Sequence, residues 1–346
     1  MSRFVILDAL RFTLYPIEVP ELPEVHTTAA MLNRLISGLR ISDAWTDYGG
    51  KIHEGKDNIK DPKFFRKFRV ATIGATIKNV ERRGKNVLIN LDNNQTILVH
   101  MKMTGQLLYG TYKRIGKWKS QNGKLESVNR GLHPKPHTLN PSPWVAVAPK
   151  ELKDPYSRFI HLVISFTNGK HLALSDVRKF AKVTLLPTAE AHLSEHLSDI
   201  GPEPLEKDFD FAKFKTRLFT RPNGKIKQVL MDPKVVAGIG NIYSDEILFD
   251  CSVHPLSIVS KIPAPQLKTM FNSMKLILKQ GIKFGGDSTS DYRTPLGTKG
   301  NFQLHHRAYQ RAGEKCNRKN CLGKIAKLKL GGRTAHFCPR HQILHV

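Results

Sequence analysis

The chain has 346 residues, enough for two or three domains with hydrophobic cores of their own. Lys and Arg number 55 against 29 Asp and Glu, so the formal net charge is +26. This excess favours a polyanionic partner whose binding weakens as the salt concentration rises. No apolar run reaches the roughly 20 residues that a spanning helix needs, so we expect no membrane-spanning segment. The first 19 residues lack the pattern of a secretion signal, so we expect an intracellular protein.

Hydrophobic periodicity separates a β region from a helical region. Apolar residues recur from Val25 to Leu39 with a helical period, and residues 41–186 alternate in a way that predicts mainly strands. We expect a β-sandwich or barrel with the first helix packed on it. Residues 113–155 hold nine basic residues and six prolines, and we interpret them as a mobile basic loop inserted into the β region.

The second half of the chain predicts helices followed by a basic tail. Residues 201–204 (Gly-Pro-Glu-Pro) suggest a linker after an N-terminal domain of residues 20–190, and the pattern is then helical over 200–285. Residues 286–310 begin with a stretch rich in Gly, Ser, Thr and Asp and predict a flexible loop, and residues 311–346 form the tail.

The segment Pro-Glu-Leu-Pro-Glu-Val at residues 20–25 carries the most specific chemistry. A proline with a free nitrogen is a secondary amine that can attack a sugar carbon and form an iminium. Glu21 and Glu24 follow Pro20, and carboxylates beside such an amine could move the protons of that reaction. A proline-punctuated helix start is the alternative interpretation, since Pro23 suits a first helical turn.

The tail contains a set of residues with metal-ligand spacing. Cys316, Cys321, Cys338 and His341 form two pairs separated by a spacer of hairpin length, which suits a closed tetrahedral zinc site. So short a segment would need the metal in order to fold. Reduced cysteines in a tail are the alternative, with His336 and His345 as competing ligands.

Residues 231–246 predict a helix, a glycine-containing turn and a second helix that begins near Asn241. Because a helix N-terminus presents unpaired N–H groups, a phosphate could bind there, with Lys227 nearby. A glycine-rich helical hairpin without a ligand explains the same pattern.

Three further sequence segments lie in the β region and contain cationic and apolar candidates. Lys85 precedes an alternating strand and is compatible with catalysis or a phosphate contact. Met103, Arg178 and Phe180 combine apolar wedges with a guanidinium, which could fill a base stack from which one nucleotide has been extruded. Alternatively, Met103 and Phe180 are core residues and Arg178 is an ordinary surface charge.

Taken in order, these motifs resemble the formamidopyrimidine-DNA glycosylase family, bacterial cytoplasmic enzymes that excise oxidised purines. Leu22 in the opening segment is more similar to this branch than to the endonuclease VIII branch. The resemblance implies an α+β multidomain protein with an N-terminal β-sandwich, a helix–two-turn–helix domain and a C-terminal zinc-ribbon finger. It also implies a monomer that binds double-stranded DNA in the cleft between the domains, with zinc as the one cofactor.

The resemblance also implies residue roles. Pro20 would attack C1′ of the damaged nucleotide, and Glu21 would act as the general acid/base that helps to open the ribose. Glu24 would support the later proton transfers. Lys85 would serve catalysis and a phosphate contact. β,δ-elimination would follow at the abasic site. The positions expected to bind DNA are the phosphate ligands and the void-filling residues, namely Lys227, Asn241, Arg333, Met103, Arg178 and Phe180.

The sequence departs from the family pattern in two places. The family normally has four cysteines with a two-residue first gap, whereas this chain has a four-residue gap and His341 in the last place. Residues 1–19 precede Pro20, and an amide nitrogen cannot form an iminium. A GTG start codon at Val19 would explain this, and we expect Pro20 to be the mature N-terminus.

Two other functions are compatible with parts of the sequence. A non-catalytic protein that binds damaged DNA would keep the basic surface, the turn and the finger if residues 1–19 were retained. An RNA-binding, ribosome-associated protein could also combine helical hairpins with a basic metal-binding tail, but it would give the Pro20–Glu24 segment no purpose.

Overall fold

The computed structural model describes residues 19–115 and 142–346. The predicted extension, apart from Val19, and the middle of the predicted insertion lie outside these residues.

The described residues contain eleven strands and six α-helices. The helices are α1 (Leu22–Ile36), α2 (Pro62–Thr72), α3 (Phe211–Leu218), α4 (Ile226–Met231), α5 (Asn241–Asp250) and α6 (Ala264–Lys283). The strands are β1 (Ile41–Thr46), β2 (Ile77–Arg83), β3 (Asn86–Leu91), β4 (Gln95–His100), β5 (Gly105–Arg114), β6 (Trp144–Ala148), β7 (Ile160–Phe166), β8 (His171–Asp176), β9 (Lys182–Pro187), β10 (Ala326–Leu330) and β11 (Arg333–Phe337).

Two antiparallel sheets form the N-terminal β-sandwich. One has the strand order β1-β7-β8-β5-β6 and the other β2-β3-β4-β9. Apolar residues of both sheets meet in one buried core, which α1 and α2 close with residues such as Leu32 and Phe68. The prediction of a β-sandwich with the first helix packed on it is confirmed.

Helix α1 also belongs to the second core of the molecule. Its first residue, Leu22, is fully buried among the apolar side chains of α3 to α6, whereas Val25 packs into the sandwich core. One helix therefore ties the strand layer to the helical layer, and it begins where they meet. None of the described helices is long and apolar enough to cross a membrane.

The finger is a two-stranded antiparallel hairpin, β10 paired with β11, that rests on α5. Its tip has two glycines with positive φ, Gly331 and Gly332, which suit a tight turn. A Cβ on Gly331 would lie 2.5 Å from the Gln228 amide nitrogen, so the tip approaches α4 closely. The predicted α+β architecture with a β-sandwich, a helix–two-turn–helix domain and a C-terminal finger is thus confirmed.

Two loop predictions need correction. Within 113–155, β5 extends to Arg114 and residues 144–148 form the edge strand β6, which pairs with β5. An edge strand tolerates the flanking prolines because one side of it needs no ladder partner. In the predicted flexible loop 286–310, Asp287 and Ser288 are buried and hydrogen bonded. These two polar residues therefore bind the protein rather than facing solvent.

Candidate active site

Pro20 is buried at the entry to α1, in a pocket between the two layers. The sandwich contributes Met103 and Thr104 to this pocket, and the helical half contributes Ile242. The other residues that line the pocket are Val19, Glu24, Gly105, Gln106, Asp287, Ser290, Asp291 and Tyr292. The predicted nucleophile therefore faces a cavity formed by both layers.

The Glu21 carboxylate caps the N-terminus of α5. It accepts hydrogen bonds from the backbone N–H groups of Gly240 at 2.6 Å, Ile242 at 2.8 Å and Tyr243 at 3.3 Å. The sequence predicted that a phosphate could bind at this helix N-terminus; these three N–H groups instead bind a side chain of the protein. Burial raises the pKa of Glu21, while the nearby Lys85 ammonium and these N–H groups oppose that rise.

The glycines of the turn before α5 allow this contact. A Cβ on Gly240 would lie 2.5 Å from a Glu21 carboxylate oxygen and 2.7 Å from Lys85 Nζ. Gly238 has a φ of +84°, and a Cβ there would lie 2.6 Å from Leu22 Cβ. The turn thus fits against the first residues of α1 only without side chains, a requirement that the sequence shows only as a Gly-x-Gly spacing.

Glu24 lies beside Glu21 and is buried in a network of hydrogen bonds. Its Oε1 accepts from the Tyr243 hydroxyl and from the Asp287 backbone N–H, both at 2.7 Å, and its Oε2 accepts from the Glu21 backbone N–H at 2.8 Å. Burial, followed by the charges of Glu21 and Asp287, raises the pKa of Glu24 to about 7. A carboxyl group with this pKa can both take and give a proton at neutral pH. The helix-start interpretation also holds, since Pro23 and Glu24 occupy the first turn of α1.

Lys85 completes the cluster from the β2–β3 turn. Its ammonium lies against Gly240 and interacts with the charges of Glu21 and Glu24. Burial lowers its pKa, the two carboxylates raise it, and Arg333 at the start of β11 lowers it further. Three parts of the protein therefore meet here. The sandwich contributes Lys85, the helix–two-turn–helix domain contributes the N-terminus of α5, and the finger contributes Arg333.

Lys227 has an internal position rather than the expected exposed one. Its side chain is 1% exposed, and Nζ donates to Asp245 Oδ1 at 2.6 Å and to Ser244 Oγ at 3.0 Å. The second Asp245 oxygen accepts the His336 backbone N–H of β11 at 2.9 Å. The prediction of a direct phosphate contact is corrected: Lys227 balances the buried carboxylate that joins α5 to the finger.

Asn241 and Arg333 are the other two predicted phosphate contacts. Asn241 is half-buried as the first residue of α5, and its side-chain oxygen is buried with no hydrogen-bond partner among residues 19–115 and 142–346. Arg333 is exposed at the first position of β11, directly after the glycine turn. Their roles in DNA binding remain predictions.

Met103, Arg178 and Phe180 lie together on the sandwich surface. The Arg178 guanidinium lies 4.9 Å from the centre of the Phe180 ring, and its Nη1 lies 3.9 Å from Met103 Sδ. Phe180 is 48% exposed, so a core role for this ring is excluded.

Asp176 organises this surface cluster and was not predicted as a site residue. Its fully buried carboxylate accepts from the Thr104 hydroxyl and from the backbone N–H groups of Arg178 at 3.3 Å and Ala181 at 2.7 Å. One side chain therefore holds both loops that carry the wedge residues. In the sequence, the one sign of this role is that an acidic residue stands directly before a basic turn.

The four predicted metal ligands come together in the finger. Their ligand atoms all lie within 4.8 Å of one another, with Cys316 Sγ 3.4 Å from His341 Nδ1 and Cys321 Sγ 3.7 Å from Cys338 Sγ. A Cβ on Gly323 would lie 2.6 Å from Cys338 Sγ, so the backbone closes tightly around the sulfur atoms. These four residues can hold a metal ion; His336 instead faces Asp245.

Comparisons with known proteins agree with this geometry. The formamidopyrimidine-DNA glycosylase N-terminal domain matches residues 19–183, and the formamidopyrimidine-DNA glycosylase H2TH domain matches residues 200–293. A formamidopyrimidine-DNA glycosylase of Heliobacterium modesticaldum is 31% identical over 329 residues, which are 94% of this chain and 100% of the relative. The chain belongs to the formamidopyrimidine-DNA glycosylase family. The family resemblance of the motifs is thereby confirmed, and membership makes the chain a DNA glycosylase of base excision repair.

Other relatives and solved structures support the same family. The formamidopyrimidine-DNA glycosylase of Herpetosiphon aurantiacus is 33% identical over 322 residues, covering 93% of this chain and 98% of the relative. The Lactococcus lactis Fpg in complex with DNA containing an abasic site matches with a TM-score of 0.71 at 28% identity, covering 93% of this chain and 99% of that one. MutM in complex with DNA containing carbocyclic 8-oxo-G matches with a TM-score of 0.70 at 28% identity, with the same coverage.

Proposed function

We propose that this glycosylase is bifunctional: it excises oxidised purines, such as 8-oxoguanine and formamidopyrimidines, from double-stranded DNA and then cleaves the abasic site. The observation that carries the proposal is the position of Pro20, which faces the pocket between the layers with Glu21, Glu24 and Lys85 around it. The DNA lesions in the related complexes support the substrate class.

The proposed first step requires a free Pro20 nitrogen. Its lone pair forms a bond to C1′ as the bond from C1′ to the base breaks, and the departing base takes up a proton from water. The proton released from the Pro20 nitrogen passes to Glu21, which delivers it to the ring oxygen, so the ribose opens and an iminium joins Pro20 to C1′. Lys85 balances negative charge beside Glu21 and is available to a DNA phosphate.

The lyase step follows from the same iminium. It acidifies the hydrogen on C2′, and Glu24, whose pKa is about 7, accepts that proton as the bond from C3′ to its phosphate breaks. The C5′ phosphate leaves in a second elimination. Water then hydrolyses the remaining imine and restores the Pro20 amine, so the proposal requires no redox cofactor.

The state of the Pro20 nitrogen decides whether this chemistry is possible. In the printed sequence Val19 acylates it, and an amide nitrogen has no basic lone pair for attack on a sugar. An α-amino group titrates near pH 8, so a useful fraction is nucleophilic at neutral pH once the nitrogen is free. We propose that the active form begins at Pro20.

DNA binding is proposed along the surface that joins the three parts of the chain, which we place at residues 20–190, 200–285 and 311–346. Arg333 and Asn241 would contact phosphates around the everted nucleotide, and Met103, Arg178 and Phe180 would fill the gap that it leaves. The +26 net charge supports such a surface. The enzyme is proposed to act as a monomer.

The finger is proposed to hold one structural zinc ion. Three sulfurs and one imidazole nitrogen are a donor set that zinc accepts, and the Gly323 backbone approaches the Cys338 sulfur so closely that a side chain there would collide with it. The other imidazole nitrogen of His341 lies 3.3 Å from the Phe249 carbonyl, which favours Nδ1 as the metal-binding atom. When bound, zinc supplies a cross-link that holds the hairpin and Arg333 in place.

Reductive trapping separates this proposal from a non-catalytic damaged-DNA-binding protein. Borohydride reduces an iminium to a stable amine, so an enzyme incubated with an 8-oxoguanine duplex becomes covalently linked to the DNA. We expect such a cross-link, followed by strand cleavage when borohydride is omitted, and neither product with undamaged duplex. A protein that retards the damaged duplex in gels but forms no cross-link would instead be the binding protein.

A further inference from the structure

A buried ion pair lies directly behind the carboxylate of Glu24. Asp287 Oδ2 and His306 Nε2 are 2.6 Å apart, and their side chains are 0% and 6% exposed. Both atoms are buried and have no hydrogen-bond partner of good geometry in the described part of the chain, so this ion pair is the contact that compensates their burial. The other Asp287 oxygen accepts the Thr289 backbone N–H at 2.9 Å.

Asp287 contacts Glu24 through its own backbone. Its N–H donates to Glu24 Oε1 at 2.7 Å, and a Cβ on the preceding Gly286 would lie 3.0 Å from the same oxygen. The φ of Gly286 is +88°, so only glycine allows the chain to turn there and bring Asp287 against Glu24. The ion pair therefore lies one peptide unit from a group that the proposed lyase step uses.

The charges around this pair are mainly negative. Glu24 faces Asp287 and Glu21. Its carboxylate accepts a hydrogen bond from the Tyr243 hydroxyl, and its backbone carbonyl oxygen accepts one from the Tyr292 hydroxyl. On the other side, His306 faces Glu246 of α5 as well as Asp287 and Glu24, and Tyr309 packs against its ring. Arg311 Nη1 donates to the His306 carbonyl oxygen at 3.2 Å, whereas Lys85 interacts with Glu21 and Glu24 rather than with the pair itself. The titratable and charged groups facing the pair are thus Glu24, Glu246, Tyr243 and Arg311, with Tyr309 packed on the imidazole ring.

We propose that Asp287 and His306 are positioning residues of this active site, which hold the 286–300 loop against Glu24 and set the charge that Glu24 experiences. An apolar pair of similar volume would stabilise the buried site at least as well, so stability alone does not explain the two charges. With His306 protonated, its charge offsets that of Asp287. Without it, an uncompensated carboxylate would lie beside Glu24 and favour its protonated form.

This inference rests on the proposed function for its catalytic meaning, but its central claim can be measured without DNA. Carboxyl ¹³C NMR of the full chain reports the titration of Glu24, whose pKa is about 7, and imidazole NMR reports that of His306, whose pKa the Asp287 carboxylate raises. In His306→Gln we expect the Glu24 midpoint to rise by about 0.5–1 pH unit. His305→Gln is the matched control, because His305 is exposed and stacks on Phe284 away from the pair.

Two further variants keep the test decisive. Asp287→Asn should bring the His306 midpoint down from its raised position, and Asp287→Asn combined with His306→Gln should return the Glu24 midpoint to or below that of the unmodified chain. If the enzyme with a free Pro20 is active, the limb of its pH–rate profile near 7 should move upward in His306→Gln as well.

The possible failures can be told apart. Protein with a free Pro20 that is inactive, together with the expected NMR shifts, would contradict the proposed function and leave the pairing intact. A Glu24 midpoint that does not move in His306→Gln, or a His306 that titrates at or below 6.5, would overturn the inference.

Discussion

The Glu21 carboxylate accepts the Gly240 backbone N–H at 2.6 Å, across 219 residues of sequence. This contact places the first residues of α1 on the N-terminus of α5, and both belong to the same active-site cluster. Burial raises the pKa of Glu21, and the helix dipole, the three N–H groups and Lys85 oppose that rise. The assembly of the site therefore depends on the interface between the two layers.

Gly240→Ala should disrupt this interface. The added Cβ would meet Glu21 and Lys85 at 2.5–2.7 Å, so the turn must move away from both catalytic candidates. Overpacking of this kind costs about 1–3 kcal/mol of stability. We expect base excision to fall by at least about 100-fold, because both groups shift together. The measurements are single-turnover excision and the denaturant midpoint.

Gly50→Ala is the matched control for this substitution. Its added Cβ would have one neighbour at 4.0 Å, which is an ordinary contact, and Gly50 lies outside the site. Excision within about twofold of the unmodified rate is expected for this variant. Equal losses in the two variants would contradict the account of the Gly240 contact.

The proposed lyase step should show a titration near pH 7. Burial and two neighbouring carboxylates raise the pKa of Glu24 to about 7, and the step needs its ionised form. The rate of cleavage at a preformed abasic site should therefore rise with pH through about 7. A second limb of the profile, near pH 8, should come from the titration of the Pro20 amine. Glu24→Gln should remove the lower limb only, and a profile that keeps both limbs would argue against Glu24 as the proton acceptor.

Removal of the metal ligands should unfold the finger before the rest of the protein. The finger packs only a small apolar cluster against α5, so a metal cross-link would supply most of its stability. Cys338→Ser, or a strong chelator, should abolish one equivalent of bound zinc and weaken duplex binding, while the melting of the sandwich stays nearly unchanged. Cys251→Ser is the control, since Cys251 is a buried thiol outside the ligand set. Full duplex binding by metal-free protein would contradict this role.

Arg333 should account for one phosphate contact. Arg333→Ala should weaken binding of damaged and undamaged duplexes alike and reduce the slope of log K against log salt by about 1. Lys327→Ala removes an exposed charge of the same sign from the same hairpin, away from its tip. A reduced slope for Lys327→Ala and an unchanged slope for Arg333→Ala would place the DNA elsewhere on the finger.

Sequence patterns predicted the features that depend on local chemistry. The helical period predicted α1, and the alternation of apolar residues predicted β3 and β4. The spacing of the four ligands predicted the metal site. Each of these structures is determined by residues that are neighbours in the sequence. Family resemblance then identified Pro20, Glu21, Glu24 and Lys85, which the structure brings to one cluster.

The incorrect predictions involve residues whose partners only the folded chain brings together. Lys227 has the charge and the place of a phosphate ligand, yet its partner is Asp245, and the N–H groups of α5 bind the Glu21 carboxylate rather than a phosphate. The polar loop after Gly285 has the composition of a flexible segment, but Asp287 is buried by Glu24 and His306. Composition alone does not show which polar groups find partners inside the protein.

The most direct test of the central claim is to map the covalent adduct by tandem mass spectrometry. Protein beginning at Pro20 and the full 346-residue chain are each incubated with an 8-oxoguanine duplex and borohydride, digested and sequenced. We predict a reduced deoxyribose remnant on the Pro20 nitrogen of the shorter protein, and no adduct on the chain in which Val19 acylates that nitrogen. An adduct on a lysine, or no adduct on either protein, would contradict the proposed chemistry.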